Sequence, residues 1–68
     1  MISDILVQMD FPEAMRAVIE GNKITRLEWH NSDYAFLHGD RLRLMREGGL
    51  HDWLVSDGDM LAQDWVIV

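Results

Sequence analysis

Asp10-Phe11-Pro12-Glu13-Ala14-Met15-Arg16-Ala17-Val18-Ile19-Glu20-Gly21, followed after Asn22 by Lys23-Ile24-Thr25-Arg26-Leu27-Glu28-Trp29, decides the fold. The apolar period changes from helical to alternating across Gly21. Asp10 is placed to cap a helix start, Pro12 suits its first turn, and Glu13 completes a capping-box spacing. Phe11, Ala14, Met15, Val18 and Ile19 then form one apolar stripe, and Gly21 supplies the left-handed residue that ends the helix. From Lys23 to Trp29 the period is two, with Thr25, Leu27 and Trp29 on one face and Ile24, Arg26 and Glu28 on the other, which predicts a strand.

Outward from this stretch, His30-Asn31-Ser32-Asp33 reads as a polar turn and Tyr34 to His38 as a second strand. Gly39-Asp40 makes a tight reversal into Arg41-Leu42-Arg43-Leu44-Met45, where leucines and arginines alternate. Glu47-Gly48-Gly49 is the next turn, His51 to Val55 a further strand carrying Trp53, and Ser56 a cap for a short helical turn through Met60, Leu61 and Ala62. Trp65 to Val68 is a terminal β run. The expected fold is α+β, an N-terminal helix packed on an antiparallel sheet of about four or five strands. Residues 1 to 8 lack a clean period and are set aside as a leader or extra strand, with one domain over residues 9 to 68.

A chain of 68 residues buries a modest share of its unfolded surface and needs added support. Cysteine is absent, so disulfides are excluded, and no Cys/His pattern offers a structural zinc; self-association is the remaining common source of buried area. Six basic against twelve acidic residues give a net charge of −6, a field that disfavours duplex nucleic acid and anionic membranes. No apolar run is long enough to cross a bilayer and the start lacks a basic signal region, so a cytoplasmic protein is expected.

Catalytic patterns are missing from the sequence. Ser3, Ser32 and Ser56 sit in no nucleophile-elbow context, and His30, His38 and His51 lack the spacing of a helical metal pair. No cofactor, no metal and no enzymatic activity are expected. Arg41, Arg43 and Arg46 form the one basic cluster, read either as a solvated face or as a contact for a small phosphate-bearing ligand. At least one of Trp29, Trp53 and Trp65 belongs to the core. Trp29, beside His30 and Asn31, is open to two readings, a platform for a nucleobase or glue at an oligomer contact.

Phe11-x-x-Ala14-Met15-x-x-Val18-x-x-Gly21-x-x-Ile24-x-Arg26-x-x-Trp29-His30, with Trp53-x-x-Ser56-x-x-Asp59-Met60-Leu61-Ala62-x-Asp64-Trp65, resembles the type-two Thoeris anti-defence family of phages and prophages. The resemblance runs from Asp10 to the C-terminus. It implies a homo-oligomeric cytoplasmic sponge, a dimer or a tetramer built from dimers, that sequesters a cyclic nucleotide immune signal without cleaving it. The implied ligand is of the glycocyclic ADP-ribose type, with cyclic dinucleotides as a further class. Trp29 matches the family's ligand-stacking tryptophan and Arg26 its neighbouring arginine; Ser56, Asp57 and Asp59 match the polar segment approaching the pocket. The chain departs from the family pattern in placing His30 directly after the tryptophan, where Asn is usual, and Asn31 after that. It also has a shorter middle hairpin and a leader ahead of Met9.

The expected ligand-binding residues are therefore Trp29, Arg26, His30, Asn31, Arg43, Ser56, Asp57 and Asp59. The contrasting reading is a small homo-oligomeric phage structural or interaction protein with no nucleotide ligand.

Overall fold

The computed structural model describes residues 7–29 and 32–68. The expected leader over residues 1 to 8 lies mostly outside them, as do His30 and Asn31. Helix α1 (Phe11–Ile19) starts where the caps dictate: the Glu13 N–H donates to Asp10 Oδ1 at 3.1 Å and the Asp10 N–H donates to Glu13 Oε1 at 3.2 Å. Gly21, at φ 100°, turns the chain out of the helix, while the backbone and side-chain N–H groups of Asn22 both donate to the Ala17 carbonyl at 3.0 Å. With the Gly21 N–H on the Val18 carbonyl at 3.0 Å, two orphan carbonyls at the helix end are satisfied.

Strands β1 (Ile24–Arg26), β2 (Tyr34–His38), β3 (Arg41–Arg46), β4 (Gly49–Asp52) and β5 (Trp65–Ile67) form one five-stranded sheet in the order β4-β3-β2-β1-β5. Every neighbouring pair is antiparallel. Both hairpins have two-residue connections. Gly39 carries φ 68° at the first central position of one, and Glu47 and Gly48 carry φ 54° and 76° in the other; positive φ in such loops matches the twist of paired strands. Helix α2 (Asp57–Leu61) lies in the segment that leads from β4 at one sheet edge to β5 at the other, and it packs against α1.

Three expected details differ. Ile19 is 73 % exposed, and Ala17 joins Ala14 and Val18 in the core. At about 100° per residue, Ile19 stands roughly 140° from Ala14 around the helix axis, outside the buried arc. The strand expected over Lys23 to Trp29 stops at Arg26, because the Leu27 N–H donates to the Asp64 carbonyl, the Glu28 N–H to Asp64 Oδ2, and the Trp29 N–H back to the Arg26 carbonyl. The later strand begins at Gly49 and ends at Asp52, so Trp53 follows it, with its N–H on the Leu42 carbonyl.

The core gathers Ala14, Ala17, Val18, Ile24, Ala35, Leu44, Trp53 and Trp65. Trp65 is fully buried, and its ring lies 5.2 Å from Trp29, 5.6 Å from Trp53 and 5.9 Å from Phe11. Tilted and edge-to-face contacts of this kind add to the area the rings bury. The indole N–H donates to the Asp59 carbonyl at 3.3 Å, so the ring ties α2 to the core. Trp65→Ala should cost about 3–5 kcal/mol, enough in so small a domain to remove the cooperative transition in a urea titration followed by circular dichroism. A normal transition would show that the aromatic cluster is not the centre of stability.

Candidate functional site

Arg26 ends β1 and pairs across the sheet with Trp65 of β5. Its side chain, 13 % exposed, meets three carboxylates: Nε donates to Asp64 Oδ1 at 2.8 Å, Nη1 to Asp59 Oδ1 at 3.2 Å and Nη2 to Glu28 Oε1 at 3.2 Å. The hydrogen bond to Asp64, opposed by burial and aided by Asp59, raises the Arg26 pKa above its ordinary value. Burial pushes the Asp64 carboxyl up, but the hydrogen bond and charge of Arg26, with the Glu28 backbone N–H, outweigh it and hold the group below the usual carboxylate range. This cluster fixes the 27–29 turn from both sides. It also places the Trp29 indole edge-to-face with Trp53 and Trp65.

Beside the cluster opens a cleft of about 520 Å³. It is lined by Arg26, Glu28 and Trp29, by Leu44, Arg46 and Asp52 of β3 and β4, and by Trp53, Leu54, Ser56, Gly58 and Asp59 of the segment after β4. Ser56 is there as the cap of α2, its Oγ accepting the Asp59 N–H at 3.2 Å. Arg46 holds its guanidinium carbon 5.2 Å from the Trp29 ring centroid, a cation–π distance, and Nε donates to Asp33 Oδ2 at 3.2 Å. Asp33, expected in a polar turn, is only 3 % exposed. Its carbonyl accepts the Thr25 hydroxyl at 2.7 Å and its carboxylate accepts Arg46, so neither polar group is left bare.

Of the eight expected ligand-binding residues, Trp29, Arg26, Ser56 and Asp59 come together in this cleft. Arg43 does not line it; Nε donates to the His51 carbonyl and sits 3.5 Å from Asp52 Oδ1. Asp57 occupies the exposed first turn of α2. His30 and Asn31 are outside the described residues. Glu28 and Asp52 are cleft residues that nothing in the sequence singles out, and Arg46, a member of the basic cluster, lines the cleft without being among the eight expected ligand-binding residues. The signal for Arg46 is parity: along β3 it alternates in step with Leu42 and buried Leu44, whereas Arg41 and Arg43 fall on the opposite face. Among the described residues, no three His, Asp or Glu side chains form a group able to hold a metal ion, and no helix is long and apolar enough to cross a membrane.

A family model described as the Thoeris anti-defense 2-like domain matches residues 9–68. No curated protein matches the chain.

The Arg26 cluster sets an acid limit on stability. A carboxyl whose folded pKa lies below its unfolded value, about 3.9 for Asp, stabilises the fold above that value and loses the contribution as pH falls through the folded pKa. Asp64→Asn should lose about 2 kcal/mol at pH 7, the scale of a hydrogen bond to a charged group, and should lose less than the parent protein on acidification below about pH 4. Chemical denaturation across pH checks both; parallel acid limbs in the two proteins would contradict the assignment.

Proposed function

The chain belongs to the Thoeris anti-defense 2-like family, an anti-defence assignment from which we propose that it sequesters an intact cyclic nucleotide immune signal of the glycocyclic ADP-ribose type. The observation that carries this reading is the cleft of about 520 Å³ with the Trp29 indole and the Arg46 guanidinium together on its lining. That volume falls within the range of small-molecule sites, roughly 300–1,000 Å³. An indole wall supplies a stacking surface for a base, and a guanidinium beside it suits the phosphates of the same ligand. Asp59 and Glu28, the carboxylates on the Arg26 side, are bonded to that arginine. Such engagement supports binding rather than acid–base cleavage, which needs a carboxyl free to exchange a proton with the substrate.

Self-association completes the proposal. Leu54 stands at the cleft and is 87 % exposed, and Leu61 and Ile19 are 80 % and 73 % exposed on the helices. Apolar side chains this bare are covered favourably by a second copy, and a copy resting on Leu54 would also enclose the cleft. The working form in this reading is a homo-oligomer in the cytoplasm of the infected host.

Titration calorimetry of the purified protein with glycocyclic ADP-ribose and with cyclic dinucleotides tests the reading. Binding of at least one, with the nucleotide recovered unbroken after heat denaturation, is the expected result. Trp29→Ala should abolish that binding while the oligomer keeps its elution volume on a sizing column. No heat with any of these nucleotides would favour a purely structural protein, and a cleaved nucleotide would favour an enzyme. Dissociation of the Trp29→Ala oligomer would make Trp29 interface glue.

A further inference from the structure

The two cleft arginines are bonded in opposite ways. Every nitrogen of Arg26 has a carboxylate partner, and an approaching phosphate would meet the repulsion of three anions around one cation. Among the described residues Arg46 is held only by Nε, on an Asp33 carboxylate that is 4 % exposed, while its own side chain is 42 % exposed. Its guanidinium is also packed on the Trp29 ring. Among the described residues, neither Nη1 nor Nη2 of Arg46 has a hydrogen-bond or ion-pair partner. The nearby cleft carboxylate, Asp52, is drawn toward Arg43 at 3.5 Å.

We propose that the Nη1–Nη2 edge of Arg46 is an oxyanion fork, a subsite for a phosphate or diphosphate group, preorganised by Asp33 at Nε and by the cation–π contact with Trp29. A planar fork with one nitrogen anchored on a buried carboxylate and its cationic carbon held over an indole ring has lost part of its freedom before binding, so less ordering cost remains when two oxygens dock on it. Arg26 then has a positioning part, holding the Trp29 turn, and the phosphate contact falls to Arg46. The identity of the nucleotide rests on the sequestration reading; the fork itself takes any oxyanion of this geometry.

The test uses the full chain with two probes, inorganic pyrophosphate and glycocyclic ADP-ribose. Readouts are the arginine side-chain NMR resonances and calorimetry. Pyrophosphate should shift the Arg46 Nε and Nη signals and leave those of Arg26 in place. Arg46→Ala strands the buried Asp33 carboxylate and risks unfolding, so the decisive variant is the double change Asp33→Asn with Arg46→Gln, which keeps a neutral hydrogen bond. With folding verified by circular dichroism, this variant should lose the pyrophosphate response and bind the nucleotide roughly 10- to 100-fold more weakly, the scale of losing a charge-assisted hydrogen bond. Arg46→Lys, with charge but no fork, should fall between. Pyrophosphate leaving Arg46 unmoved, or a double variant binding the nucleotide as tightly as the parent, would overturn the fork; in the latter case sequestration stands. A shift of Arg46 by pyrophosphate with no nucleotide binding would sustain the fork and sink the sequestration reading.

Discussion

The hydrogen-bonded ion pair from Arg26 to Asp64, at 2.8 Å, is the constraint on which the rest of the structure turns. Asp64 immediately precedes β5, and through its two carboxylate oxygens and its carbonyl it receives Arg26, Glu28 and Leu27. A side chain from the end of β1 and two backbone amides of the following turn are thereby fixed to the start of the last strand. Arg26 reaches on to Asp59 of α2, and Trp65, the next residue after Asp64, returns its indole N–H to the Asp59 carbonyl. Polar and apolar contacts close one loop around the same three elements. Removing Arg26 from this partly buried cluster would leave the Asp59 and Asp64 carboxylates without their cation, which costs more than the pairs themselves contribute.

This arrangement explains why a cleft exists at all in a domain with so little interior. The segment between β4 and β5 spans the sheet from edge to edge, and it is pinned to the core at Trp53, at Asp59 and at Trp65. Between those pins and the turn at Trp29 the side chains cannot fully close, and the gap is the cleft. Its walls are held in place because Trp29 packs against two other indoles and because Asp33, buried just ahead of β2, holds Arg46. A site whose lining side chains are partly fixed before the ligand arrives loses less entropy on binding, which suits the sequestration proposed for it.

Local signals in the sequence were legible where the controlling partner lies close along the chain. Asp10 and Glu13 bracket the start of α1, Gly21 its exit, Gly39-Asp40 the hairpin and Ser56 the start of α2, all within a few residues of the groups they satisfy. The end of β1 was not legible, since the carboxylate that diverts the backbone stands 36 residues further on from Glu28. Ile19 misled for a different reason: hydrophobicity marks a candidate for burial, but the rotation of α1 about its axis is set by how close the small residues Ala14 and Ala17 let it come to the sheet. In the site, the resemblance brought Arg26, Trp29, Ser56 and Asp59 to one place, and their spacing could not tell that Arg26 would be enclosed by carboxylates. Arg46 was readable from strand alternation beside Leu44, though its buried partner Asp33 looked like a turn residue.

The most direct measurement is a crystal structure grown with glycocyclic ADP-ribose. The account predicts the base against the Trp29 indole and phosphate oxygens on the terminal nitrogens of Arg46, with Arg26 still bonded to Asp64. A ligand that displaces Asp64 to reach Arg26, or a Trp29 sealed beneath a neighbouring copy with the nucleotide elsewhere, would contradict it.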